Sequence, residues 1–291
     1  MTRVTDPTVV SRAASQASHR APILLLVPGV FVLLIAFVVP ITLLLSRSVF
    51  DRGFTAEHYV RLFAVPQYLE VLGFSLELAA FTTLITLILG YPYAYVLTIA
   101  PPLWQATLIA VVLLPFWTNI LVRCYSWMLI LQTKGVLNTA LVDWLGITER
   151  SVPMMYNIVG VTVGMVHYLL PPMVLILFSI MRSIDRNLVE AAEGLGASPL
   201  RAFWRVFVPL SMPGVRAASV LVFVLSLGFF VTPALLGGRK DVTIAMLIET
   251  QINELVNWGF GSALAVVLLA VTVAGLLIYY KVLGRDPAAA R

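Results

Sequence analysis

Charge is scarce in this chain. Asp, Glu, Lys and Arg together make up 11% of its 291 residues, where a soluble domain carries about a quarter. Cysteine is almost absent. Cys124 stands alone inside an apolar block, which excludes a disulfide framework and a cysteine metal site; it reads as a small packing residue. No Gly-x-x-x-x-Gly-Lys-Ser/Thr phosphate loop occurs, because Gly237, Gly238, Arg239 and Lys240 lack that spacing. No paired carboxylates, nucleophile triad or metal-ligating cluster can be assembled, so no catalytic or metal residue is assigned. The formal charge is +5, but the bases are scattered between apolar blocks and form no patch for nucleic acid.

What the chain has in excess is apolar side chain: 60% of its residues are hydrophobic. Folding buries only about three quarters of the surface that a chain of this size exposes, so the natural solvent for it is lipid. A spanning helix needs about 20 apolar residues to cross about 30 Å of hydrocarbon. Six stretches qualify, at 23–45, 72–98, 107–131, 158–180, 214–236 and 259–281. They are too long for barrel strands, and only helices satisfy the backbone internally at that length. The first run, over 22–45, exceeds a signal-peptide core and ends without a small-residue cleavage site; it reads as an uncleaved span. The expected fold is an all-α membrane protein of six transmembrane helices.

An even number of spans puts both termini on one side, with the 99–106 turn and the 181–213 loop. That side holds Arg3, Arg12, Arg20, Arg182, Arg186, Arg201, Arg205, Arg216, Lys281, Arg285 and Arg291, eleven of the 19 Lys and Arg. The positive-inside rule then places both termini in the cytoplasm. Trp117, Tyr125, Trp127, Trp144, Tyr156 and Trp258 fall near the outer ends, where amphipathic rings favour the headgroup level.

The 181–213 loop is the longest polar interruption. Residues 187–195 form a helical run stopped by Gly194 and Gly196. Ser198 can cap a second helix with Pro199 in its first position, where a missing N–H is harmless. That helix should stop before Pro209. Glu190, Glu193, Arg201, Phe203, Trp204 and Arg205 should then face outward. Such a hairpin suits a knob that docks a protein partner. It equally suits a connector lying on anionic headgroups, and local chemistry leaves both open.

Spacing within the loop goes further. Glu190, Ala191 and Ala192 are followed after three residues by Gly196, and after nine more by Val206, Val208 and Pro209. This pattern resembles the cytoplasmic motif of permeases of binding-protein-dependent ABC importers, with valines in place of the commoner isoleucine and leucine. Pro115, Phe116, Trp117 and Thr118, then Leu121, Arg123 and Tyr125, then the run from Thr133 to Asn138, resemble the spermidine/putrescine subgroup. So do the stretches 169–173 and 257–261, and the resemblance covers 71–281.

The resemblance implies the type I ABC importer permease fold in a bacterial inner (plasma) membrane. Residues 1–71 would be the N-tail, first span and first outer loop. Residues 72–281 would be the permease domain, and 282–291 a cytoplasmic tail. It implies that the loop docks on an ABC ATPase dimer, with Glu190 at the contact, Gly196 allowing the tight turn and Pro209 fixing re-entry into the membrane. ATP and Mg would sit on that ATPase, and no cofactor is expected on this chain. A second, related permease subunit and a periplasmic solute-binding protein are the other implied partners. The implied function is import by alternating access of a polyamine such as putrescine or spermidine, or of another small amine or organic solute. A secondary transporter driven by ion gradients would not need a glycine-hinged knob, and a membrane-embedded enzyme would need a convergent polar site.

Ionisable residues inside spans are functional candidates. Glu77 and Arg123 lie at similar depth in the second and third spans and are expected to pair. His167 lacks a carboxylate in its own span and reads first as a hydrogen-bonded packing residue. Pro171 and Pro172 should kink or break the fourth span. Gly228 to Pro233 combines a break with aromatic faces that can hold ammonium groups. The candidates for a substrate path are Glu77, Arg123, Tyr125, His167, Phe229, Phe230 and Thr232.

Overall fold

A computed structural model describes residues 28–50 and 53–283. The tails, with Arg3, Arg12, Arg20, Arg285 and Arg291, and the start of the first apolar run lie outside the described residues. The described chain is helical apart from one isolated bridge, Phe50 with Phe54. In order, the helices are α1 (Pro28–Ser46), α2 (Glu57–Ala64), α3 (Pro66–Ile99), α4 (Pro102–Trp117), α5 (Ile120–Leu131) and α6 (Val136–Thr139, wound on to Trp144). There follow α7 (Ile158–Arg182), α8 (Arg186–Gly194), α9 (Pro199–Leu227), α10 (Val231–Leu236), α11 (Ile244–Glu249) and α12 (Trp258–Leu283).

Among the described residues five helices are long and apolar enough to cross a membrane, namely α1, α3, α7, α9 and α12. The bent pair formed by α4 and the helical run after it makes a sixth crossing if counted as one span. Four expectations need correction. The third span is not one helix over 107–131: its two arms meet at 101°. Thr118 is extended there, and the Asn119 side chain accepts the Leu121 N–H at 2.8 Å and starts a new helix. The second loop helix does not stop before Pro209, because α9 runs unbroken into the fifth span. A widened turn over Phe203–Phe207 pairs Val208 N–H with Phe203 C=O and carries the helix past the proline. The fifth span then ends at Leu227 and not at 236, with α10 beginning after Gly228–Phe230. Finally, Pro171 and Pro172 do not break α7, which is continuous across them, although they leave the i−4 carbonyls of His167 and Tyr168 without their helical N–H donors.

The core lies where α3, α7 and α9 cross. Leu78, Ala94, Leu97, Met165, Leu169, Met173, Leu177, Ala218 and Val222 are buried there. In lipid, close backbone approach between helices does what water exclusion does elsewhere. Gly90 and Gly214 provide it: a Cβ would stand 2.9 Å from Met173 Cγ at the first and 2.8 Å from Ile180 Cβ at the second. Tyr91 Oη and Ser211 Oγ, 2.8 Å apart, join α3 to α9. Ser75 Oγ accepts the Ile244 N–H at 2.8 Å and ties α11 to α3. A smaller cluster of Leu62, Ile244, Phe260 and Leu264 anchors α12. In contrast, α1 is exposed along nearly its whole length and touches the rest mainly through α12.

Candidate functional site

Two features carry functional groups. The first is the loop hairpin. The Asp185 carboxylate accepts the Asn187 N–H at 3.0 Å and caps α8. At the far end, Leu195 N–H bonds to Ala191 C=O, Gly196 N–H to Glu193 C=O and Ala197 N–H to Ala192 C=O. Gly196 has φ +91°, which is glycine territory. Pro199 opens α9 as expected. Ser198 sits at the cap position without a side-chain cap bond, and its carbonyl accepts Ala202 N–H instead.

The hairpin is anchored on one face. Phe203 and Phe207 stack at 5.7 Å, and each meets the edge of Tyr95 on α3 at 5.0 Å. Phe203 therefore points inward, against expectation. An aromatic at that turn has an apolar surface to reach, whereas Trp204, one residue on, does not. Arg186 donates to Thr98 C=O and so ties α8 to the end of α3. The other face is free. Glu190, Glu193, Arg201, Trp204 and Arg205 are exposed, as are Leu188, Leu195 and Leu200. Ala191 and Pro209 are exposed, while Ala192, Val206 and Val208 are half-buried.

The second feature is a polar and aromatic cluster at the bend between α4 and α5. Arg123 is 5% exposed. Its Nη2 donates to Pro115 C=O, to Thr118 C=O at 2.9 Å and to Thr118 Oγ1 at 3.2 Å. Its Nε and Nη1 are buried without an acceptor. The guanidinium lies 4.9 Å from the Tyr168 ring centroid. Tyr168 meets Phe229 at 4.9 Å and Phe116 at 5.8 Å. One turn along α5, Trp127 Nε1 donates to His167 Nδ1 at 3.0 Å, which leaves the imidazole proton on Nε2 in the neutral ring. Cys124 Sγ lies 3.8 Å from Thr232 Oγ1.

These geometries belong with a family. Residues 71–286 match the family described as binding-protein-dependent transport system inner membrane component. The chain belongs to that family. The spermidine/putrescine transport system permease protein PotB of Escherichia coli strain K12 is 40% identical over 228 residues, covering 78% of this chain and 82% of that one. Its namesake from Haemophilus influenzae is 36% identical over 259 residues, covering 88% and 87%. In fold the chain is similar to one from a bacterial alginate ABC transporter solved with an alginate pentasaccharide-bound periplasmic protein. That likeness has TM-score 0.75 and 18% identity, and covers 92% of this chain and 95% of the other. The fold is that of a type I ABC permease.

The permease brings together only part of the expected path. Arg123 and Phe229 share the ring of Tyr168, and His167 sits beside them through Trp127. Glu77 does not pair with Arg123. It is exposed on α3, while Arg123 turns to the carbonyls of its own bend. Tyr125 faces a separate cavity with Gln132, Thr133 and Tyr156. Thr232 is buried against Gly164 of α7, where a Cβ would stand 2.7 Å from its methyl group. Phe230 is exposed at the start of α10. Tyr168 and Phe116 were not expected. The signal for Tyr168 was its place beside His167, on a helix whose neighbouring span carries a cation.

Proposed function

We propose that this permease subunit imports a polyamine of the putrescine or spermidine kind by alternating access, with both termini and the 181–213 loop in the cytoplasm. The loop docks on an ABC ATPase dimer that carries ATP and Mg, and a related second permease completes the pore beneath a periplasmic binding protein. The observation that carries the coupling role is the two-faced hairpin. Its aromatic face is locked to α3, so a push on its free face moves α3 and α9 together. A connector resting on headgroups would need no such lock. The names of the PotB relatives support the polyamine cargo, and the aromatic cluster offers faces suited to ammonium groups.

Glu190→Lys tests the docking. Glu190 is exposed and no structural bond depends on it, so the spans should fold as before while ATPase retention and uptake fall together. Retention and uptake at the wild-type level in the variant would refute docking through this face.

A further inference from the structure

We propose that Arg123 is a gating charge. In this state its guanidinium holds the place on the Tyr168 ring that a substrate ammonium would take, and it must leave before substrate can pass. The proposal rests on the polyamine reading above. Rings from three separate segments cluster here: Tyr168 of α7 lies against the guanidinium, and Phe229 of the α9–α10 break and Phe116 of the last turn of α4 pack against Tyr168. Aromatic clusters of this kind recognise alkylammonium groups. Here the site is filled from within the chain.

The way Arg123 is held sets it apart from a structural arginine. A buried guanidinium kept for stability is paired and has its donors satisfied. Arg123 is buried, yet Nε and Nη1 find no acceptor, and only Nη2 is bonded. Among the described residues no carboxylate pairs with it. All its side-chain bonds run to Pro115, in the last turn of α4, and to Thr118, at the bend that follows. A change of the bend therefore carries the guanidinium with it and uncovers the ring. Two like charges repel strongly at the separation of one ring face, so no ammonium enters while Arg123 stays. Opening the bend and vacating the site become one motion, and cations do not leak between turnovers.

The test uses the assembled importer with its ATPase in proteoliposomes and radiolabelled putrescine. Without binding protein, Arg123→Gln should raise putrescine uptake about 30-fold, the scale of one desolvated cation–π contact, and should raise ATP hydrolysis in step. Arg123→Lys keeps a cation for the ring but cannot clamp both carbonyls, and should restore most of the tightness. A purely structural clamp predicts instead that Lys and Gln leak equally, in proportion to lost thermal stability; that outcome overturns the gate. So does a Gln variant as tight as wild type in an intact complex. If Arg123→Gln does not assemble, Tyr168 decides. Tyr168→Leu should lower binding-protein-driven uptake several-fold and Tyr168→Phe should recover it, and equal uptake by the two overturns the proposal. A wild-type complex that imports neither putrescine nor spermidine refutes the polyamine reading alone. The Gln-against-Lys difference in ATP hydrolysis still judges the gate.

Discussion

Gly196 gives the sharpest check on the hairpin. Its φ of +91° is a conformation that costs an L-residue with a side chain about 1–2 kcal/mol. A Cβ built at Gly196 meets nothing within 4 Å, so crowding adds nothing and the whole effect of Gly196→Ala is conformational. Three amides pin the turn: Leu195 to Ala191 at 3.0 Å, Gly196 to Glu193 at 2.9 Å and Ala197 to Ala192 at 3.1 Å. The strain is drawn from their local stability, so their opening should rise about 5- to 30-fold. Asn tolerates this region better than Ala, and a β-branched Val tolerates it worse. The expected order of exchange is Gly, Asn, Ala, Val, slowest first. Hydrogen-exchange mass spectrometry on a peptide spanning 191–198 reads it directly, with the interior of α7 as internal reference. ATPase retention should fall in the same order. Equal exchange in all four would mean that the turn does not depend on this φ, and Val exchanging no faster than Ala would remove the backbone explanation.

Two stability predictions follow from other close contacts. Asn138 is 1% exposed, accepts Val152 N–H at 2.8 Å and donates to Gln132 C=O and Val152 C=O at 3.1 Å. Asn138→Ala removes three hydrogen bonds that hold the 138–152 loop and should destabilise it by about 1–3 kcal/mol, seen as a lower unfolding midpoint and faster proteolysis within 145–157; Asn138→Asp should fall between. Gly164→Ala would put a Cβ 2.6 Å from Leu236 Cδ1 and 2.7 Å from Thr232 Cγ2, at a cost of about 1–3 kcal/mol for overpacking. Gly275→Ala, whose Cβ meets nothing within 4 Å, should leave the midpoint in place, and equal shifts for the two would refute the crowding.

The spans were legible because lipid imposes one demand, a long apolar helix, and the sequence meets it openly. The fourth and sixth spans fall within a few residues of α7 and α12. The third and fifth failed for a shared reason. Apolar run length marks where a chain can cross, and it is blind to hydrogen-bond register. The widened turn at Phe203–Phe207 and the Asn119 cap are register events, and each shifted a boundary that composition alone placed elsewhere. The hairpin was read well at Gly196 and Pro199, where backbone conformation forces the residue type. It was misread at Phe203, whose direction is set by Tyr95, more than a hundred positions earlier in the chain. The expected Glu77–Arg123 pair failed similarly. Matching depth in two spans says nothing of which way each side chain faces, and carbonyls exposed by a bend were closer partners for a guanidinium than a distant carboxylate.

The fold itself does not select cargo. The permease shares its scaffold with a chain from an alginate transporter at 18% identity, and its PotB relatives carry spermidine and putrescine in their names. The first is named for alginate and the others for spermidine and putrescine, so the cargo named is not written into helix order or crossing. This chain's hairpin, fixed to α3 at one face and free at the other, contacts none of the groups that would meet a cargo inside the spans. What must differ is the small set of side chains that a passing charge meets. On the gating proposal that set includes the buried Arg123 against the Tyr168 ring, an arrangement hostile to a cation until it moves. If Arg123 lies in the path of a polyamine, as proposed, its charge has to be displaced, and Pro115 and Thr118, which hold it, are where that displacement would begin.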